Sequence, residues 1–134
     1  MRNPADACHI AVPARDLDAA AHFYNTLLGC PLARRRDDRV TFDFFGDQLV
    51  CHHAPDEPAV DRPHLYPRHF GVTFRSRADF DALLRLVALR EVPVFRETTT
   101  RFAGTAEEHS TLVLTDPSGN LLEFKHYTDA RMMY

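Results

Sequence analysis

Apolar and polar residues follow two rhythms along this chain, and the same succession of rhythms occurs twice. Residues 9–13 (HIAVP) form a short apolar run. Leu17, Ala20, Ala21, Tyr24 and Leu28 then recur at the spacing of one helical face. Asp16 can cap this helix at its start, Gly29 is a natural stop, and Pro31 cannot continue it. Residues 40–45 (VTFDFF) and 48–52 (QLVCH) read as strands joined by a tight turn at Gly46-Asp47, with a further strand from Leu32 to Arg36. Residues 54–68 hold four prolines among alternating charges, the composition of a connector.

The pattern restarts at His69. Residues 69–74 (HFGVTF) read as a strand, and Ser76 can cap a helix with Phe80, Leu83, Leu84 and Val87 on one face. Strands are expected from Val92 to Glu97, Leu112 to Thr115 and Leu121 to Tyr127, with residues 98–110 as a long connection around Gly104. Asp116-Pro117-Ser118-Gly119-Asn120 is a turn, because proline presets φ while glycine and asparagine accept positive φ. Both halves read β-α-β-β-β, and His-Ile-Ala-Val at residue 9 aligns with His-Phe-Gly-Val at residue 69. The expectation is an α+β fold: one domain over residues 1–134, built from tandem modules 9–53 and 69–127 with linker 54–68 between them.

Composition narrows the function. The 134 residues, 45% hydrophobic and 26% charged, suit one soluble globular domain. A net charge of −3 offers no basic footprint, so neither nucleic acid nor an anionic membrane is an expected partner. The most apolar stretch, Leu83 to Leu89, is far shorter than the roughly 20 residues that span a bilayer. The first residues lack the apolar run of a secretory signal. Cys8, Cys30 and Cys51 are odd in number and show no CxxC spacing. Together these point to a cytoplasmic protein.

Strand parity selects the candidate chemistry. Side chains alternate between faces, so Ile10 and Val12 leave His9 on the opposite face. Phe70, Val72 and Phe74 likewise leave His69 opposite, and Leu122 and Phe124 leave Glu123, Lys125 and Tyr127 opposite. With the bulky faces under the helices, the other faces are expected to gather His9, His69 and Glu123 in one concavity. Two imidazoles and a carboxylate can hold one face of Fe(II) or a similar ion and leave positions open; Zn(II) with three protein ligands is also chemically possible.

The segments HIAVPARDLDAAAHFYNTLLGC (9–30), HFGVTF (69–74) and DPSGNLLEFKHY (116–127) resemble the vicinal oxygen chelate superfamily of glyoxalases, extradiol dioxygenases, fosfomycin-resistance transferases and bleomycin-binding proteins. The resemblance implies a curved, cup-shaped mixed sheet with helices outside. It also implies metal ligands at His9, His69 and Glu123, with one divalent ion per site, Fe(II) or Mn(II) ahead of Zn(II) or Ni(II). The fourth ligand of glyoxalase I would fall at Val50, so that pattern is broken here. A three-ligand set favours extradiol-dioxygenase-like chemistry on a small oxygen-chelating substrate. A glyoxalase-like lyase or isomerase is the alternative, as is non-catalytic ligand binding of the bleomycin-resistance type.

In that frame His52 is the first candidate acid or base, with His53 and His109 behind it, and Tyr127 could donate a hydrogen bond to a bound oxyanion. Arg101 could meet a substrate carboxylate, while Phe42, Phe44 and Phe102 could line an aromatic pocket. A homodimer is expected, possibly module-swapped, in which His9 of one chain meets His69 and Glu123 of another.

Overall fold

The structure is a computed structural model and describes residues 3, 5–58 and 63–134. Residues 59–62 of the expected linker therefore lie outside the described residues. The first module runs β1 (His9–Ala14), α1 (Leu17–Ala21), β2 (Leu32–Arg35), β3 (Arg39–Phe44) and β4 (Asp47–His53). The second runs β5 (Phe70–Phe74), α2 (Arg77–Leu89), β6 (Val94–Arg101), β7 (His109–Thr115) and β8 (Leu121–Tyr127), followed by a short 3-10 turn at Ala130–Met133. No helix among the described residues is long and apolar enough to cross a membrane.

Each module makes one four-stranded mixed sheet, in the orders β1-β4-β3-β2 and β5-β8-β7-β6. The first two strands of each order pair in parallel and the rest are antiparallel. The registers agree between modules: Ala11 faces Val50 as Gly71 faces Glu123. Val50 is thus the first module's counterpart of Glu123, as the turn glycines predict. Pro13 is accommodated because β1 lies at a sheet edge, where a missing N–H breaks no ladder.

The apolar faces of both sheets close on a single core that includes Phe23, Tyr24, Phe42, Phe44, Phe80 and Phe124. Phe44 of β3 packs against Phe70 and Phe124, with ring centroids 5.6 and 6.2 Å apart, so the two sheets meet through side chains rather than through paired backbone. Each fully buried aromatic side chain contributes about 1.5–3 kcal/mol of transfer free energy, which makes this shared core the main bond between modules. Polar ties reinforce it. The Tyr24 hydroxyl donates to Asp116 Oδ2 (2.9 Å), Asn120 Nδ2 donates to the Pro13 carbonyl (2.9 Å), and the Arg15 N–H donates to Ser118 Oγ (3.0 Å). The Asp116–Asn120 turn thereby fastens β8 to the end of β1.

Two elements differ from expectation. The first helix is α-helical only to Ala21 and widens into a π-helical turn over His22–Leu27, closed by Leu28 N–H to the Phe23 carbonyl (2.9 Å). The wider turn lets the consecutive Phe23 and Tyr24 both enter the core, which a regular helical face does less readily. The expected loop over 98–110 is strand at both ends, leaving 102–108 as the connection. Thr99, Thr100 and Arg101 pair with Thr111, Ser110 and His109, in keeping with the strand preference of β-branched threonine.

Candidate metal centre

The second sheet builds its polar face around Glu123. Gly71 stands beside it across the β5–β8 ladder, and a Cβ there would lie 1.8 Å from the Glu123 carbonyl oxygen. Only glycine lets β5 approach this closely. Glu123 is 6% exposed, and its Oε1 accepts from Thr111 Oγ1 at 2.9 Å. Its Oε2 lies 3.1 Å from His69 Nε2 and 2.9 Å from Lys125 Nζ. Oε2 is thus a buried carboxylate oxygen whose near neighbours are an ammonium and an imidazole. Burial alone would raise the Glu123 carboxyl, but Lys125, Thr111 and His69 together outweigh it and hold the group below its ordinary value.

His69 is oriented by the linker. Leu65 is buried with Val113 and Leu121 on this polar face, and its carbonyl lies 2.8 Å from His69 Nδ1. A carbonyl can only accept, so Nδ1 carries a proton and Nε2 is the ring nitrogen that faces Glu123. With Nε2 deprotonated, that nitrogen and Oε2 are two electron-pair donors side by side, with Lys125 as the cation beside them. Ligands at right angles on an octahedral ion, with bonds of about 2.1 Å, stand about 3.0 Å apart, close to the separation of these two atoms. His69 and Glu123 therefore fit a divalent metal as two adjacent ligands.

Further along the same face lies an aromatic group. His109 pairs across the ladder with Tyr127, and their ring centroids are 4.7 Å apart. His109 is 7% exposed, with Nδ1 2.9 Å from the Glu107 carbonyl. Phe102, held at φ 52° and partly exposed, lies 5.7 Å from the His109 ring, and the Arg101 guanidinium sits 5.7 Å from the Phe102 centroid. Tyr127, Phe102 and Arg101 thus share a neighbourhood, and His109 belongs to it more closely than its sequence ranking suggests. Thr111 and Lys125, both in contact with Glu123, carry no sequence signal for a role there. Parity already put Lys125 on the right face, but not the reach of its ammonium back to Glu123.

The first sheet carries the remaining candidates. His9 is exposed, and its Nδ1 lies 2.5 Å from Gln48 Oε1, which leaves Nε2 available for ligation. His52 is exposed on the same face, beside Pro13 and Arg39. His53 is exposed near Asp16 on the opposite face. Phe42 and Phe44 correct the expectation of an aromatic pocket wall: each is 1% exposed, packed around Tyr24 in the core on the face away from His9. Within one chain His9 does not join His69 and Glu123: among the described residues no three His, Cys, Asp or Glu side chains come together in a metal-holding group. A cavity of about 780 Å³ does open along the seam between β1 and β5, with Ala11, Tyr66 and His69 in its walls.

Residues 8–124 match the Glyoxalase/Bleomycin resistance protein/Dioxygenase superfamily. No curated protein matches the chain. Among solved structures, a glyoxalase/bleomycin resistance protein/dioxygenase from Alicyclobacillus acidocaldarius is similar at 56% identity, with a TM-score of 0.93 and 100% of both chains covered. A lactoylglutathione lyase from Agrobacterium tumefaciens is similar at 20% identity and a TM-score of 0.67, over 93% of this chain and 96% of that one. The fosfomycin resistance protein FosX from Listeria monocytogenes is similar at 14% identity and a TM-score of 0.69, over 95% and 97%. At those last two identities the likeness is one of fold.

Proposed function

The chain belongs to the Glyoxalase/Bleomycin resistance protein/Dioxygenase superfamily, and from that premise we propose that it is a divalent-metal-dependent enzyme acting on a small oxygen-chelating substrate. The observation that carries this reading is the buried Glu123 carboxylate, whose Oε2 faces His69 Nε2 at 3.1 Å. In the proposed site His69 and Glu123 of one chain, with His9 of a second copy, would hold the ion. Fe(II) or Mn(II), or failing these Zn(II) or Ni(II), would supply Lewis acidity and open positions for vicinal substrate oxygens.

The chain's own residues do the rest. Thr111 fixes the Glu123 carboxylate through Oε1, leaving Oε2 to the ion. Lys125, 2.9 Å from Glu123 Oε2, would stand beside the ion and could hold an anionic substrate oxygen. His109 carries a proton to or from the substrate, and Tyr127 donates to its oxyanion; His52, on the first sheet, is the competing proton carrier. Phe102 and Tyr127, packed on the buried His109 ring, offer apolar edges for a planar ring, with Arg101 alongside for a carboxylate. That surface favours ring cleavage of a catechol by an extradiol-type dioxygenase over glyoxalase-like chemistry. A second reading, ligand binding without chemistry, draws support from the Lys125 ammonium, which neutralises Glu123 within a single chain.

Elemental mass spectrometry on the wild type beside Glu123→Ala, after loading with Fe(II), Mn(II), Ni(II) or Zn(II), tests the reading. Bound metal in the wild type and its loss in the variant is the expected result; no metal under any loading overturns it. O₂ uptake with catechol under Fe(II) then selects the dioxygenase, and loss of a hemithioacetal under Ni(II) or Zn(II) selects the lyase.

A further inference from the structure

A second chemical feature lies on the polar face of the first sheet. Arg34, Arg36, Arg39 and Thr41 border a cavity of about 340 Å³. Cross-strand pairing ties its walls to His9's face: Arg34 stands opposite Thr41, Thr41 opposite Val50, and Val50 opposite Ala11, two residues along β1 from His9. Arg39 stands opposite His52 on that same face. The Arg36 N–H donates to the Arg39 carbonyl at 2.9 Å, which brings these two residues together at the end of the β2–β3 hairpin.

Three guanidiniums around one cavity repel each other unless anions offset them. Arg39 has such an offset, with Nη1 2.6 Å from Asp38 Oδ2. Arg34 and Arg36 have no ion pair among the described residues, and Asp37 at the hairpin tip lines no wall of the cavity. Arg35 shows how a structural arginine is handled in the same strand: it points to the helix side and pairs with Asp18 at 2.6 Å. The chain thus neutralises the arginine facing α1 and leaves positive charge on the face that carries His9 and His52. Guanidiniums match carboxylate and phosphoryl oxygens by paired N–H donors, which lysine does not reproduce.

We infer that Arg34, Arg36 and Arg39 form an oxyanion subsite that takes the carboxylate or phosphoryl group of a ligand bound against the first sheet. The inference deepens the proposed function, since it makes the substrate an anion-bearing one, and it rests on that reading for what the bound anion is used for. Anion capture itself needs no metal, so the two stand or fall separately.

The test is calorimetric titration of chelator-treated wild-type protein with inorganic phosphate and, in a second arm, with benzoate. Saturable binding of phosphate identifies a phosphoryl group as the ligand chemistry, and binding of benzoate identifies a carboxylate. Arg34→Ala/Arg36→Ala is expected to weaken binding by about tenfold or more, the scale of one charge-assisted hydrogen bond of about 1.5–3 kcal/mol. Arg35→Ala removes one of the same charges from the other face and is expected to leave affinity unchanged. Absence of saturable binding in both arms, or equal weakening by Arg35→Ala, overturns the subsite and leaves only a general positive field. Binding that survives Glu123→Ala while no metal is ever retained would keep the subsite and remove the metal-enzyme reading; retained metal without anion binding would do the reverse.

Discussion

Glu123 is where burial, charge and backbone geometry meet, and Gly71 is what permits the meeting. A methyl group at residue 71 would overlap the backbone of Glu123, so β5 would have to move away from β8 and carry His69 with it. Gly71→Ala is expected to destabilise the fold by about 1–3 kcal/mol, the range of overpacking with backbone displacement, as measured by urea denaturation. Ala11→Gly, at the equivalent position of the first module, is expected to cost less than about 1 kcal/mol. The cysteines supply a separate check on packing. Burial pushes the Cys30 and Cys51 thiols up to about 12, and Cys8 alone is exposed. A thiol reagent at about pH 8 should therefore modify Cys8 alone in the native protein and all three after denaturation, since the thiolate is the reactive form. Parity in the sequence was sufficient to put Glu123, Lys125 and Tyr127 on one face. It could not show that Lys125 reaches back to Glu123, because side-chain torsions are set by neighbours far apart in the chain.

The first helix and the Asp116–Asn120 turn act as one device. The π-helical widening buries Phe23 and Tyr24 together, and the Tyr24 hydroxyl then reaches Asp116 in the other module. Burial raises the Asp116 carboxyl, while donors from Asn120, Tyr24 and Ser118 work against that rise. Tyr24→Phe removes one donor and leaves a buried acceptor underpaired, at an expected loss of about 1–3 kcal/mol. Asp116→Asn should recover little of that loss, because an amide cannot accept at both positions. Equilibrium unfolding of the single and double variants, treated as a cycle, would show a coupling of about 1 kcal/mol or more; simple additivity would mean that the turn and helix are independent. The order and type of the elements were legible in the sequence, because helical and strand rhythms restart in the same order after His69. Their departures from regularity were not. The π turn answers to a core shared by both modules, and the extension of β6 through Arg101 answers to pairing with β7. Both are decided by tertiary contacts that periodicity within one segment does not contain.

At the scale of the molecule, the shared core decides how a three-ligand site can be assembled. Phe44 reaching Phe70 and Phe124 binds the two apolar faces to each other, and within one chain His9 does not join His69 and Glu123. In the proposed two-fold dimer each polar face would gain a counterpart from the other copy, and the symmetry would make two equivalent sites, each with His9 from one chain and His69 and Glu123 from the other. This arrangement predicts complementation. His9→Ala and Glu123→Ala should each abolish metal retention as homodimers. Mixed and allowed to exchange subunits, they form heterodimers in which one site takes His9 from the Glu123→Ala chain and His69 with Glu123 from the His9→Ala chain, and so is intact. The other site collects both substitutions and is empty. Metal binding should therefore return on mixing and follow the heterodimer fraction separated by a charge tag. A site built within one chain predicts none, since every chain in the mixture carries a broken set. Retention that stays at zero while heterodimers are plainly present would reject the composite site and require both modules of one chain to rearrange around the ion.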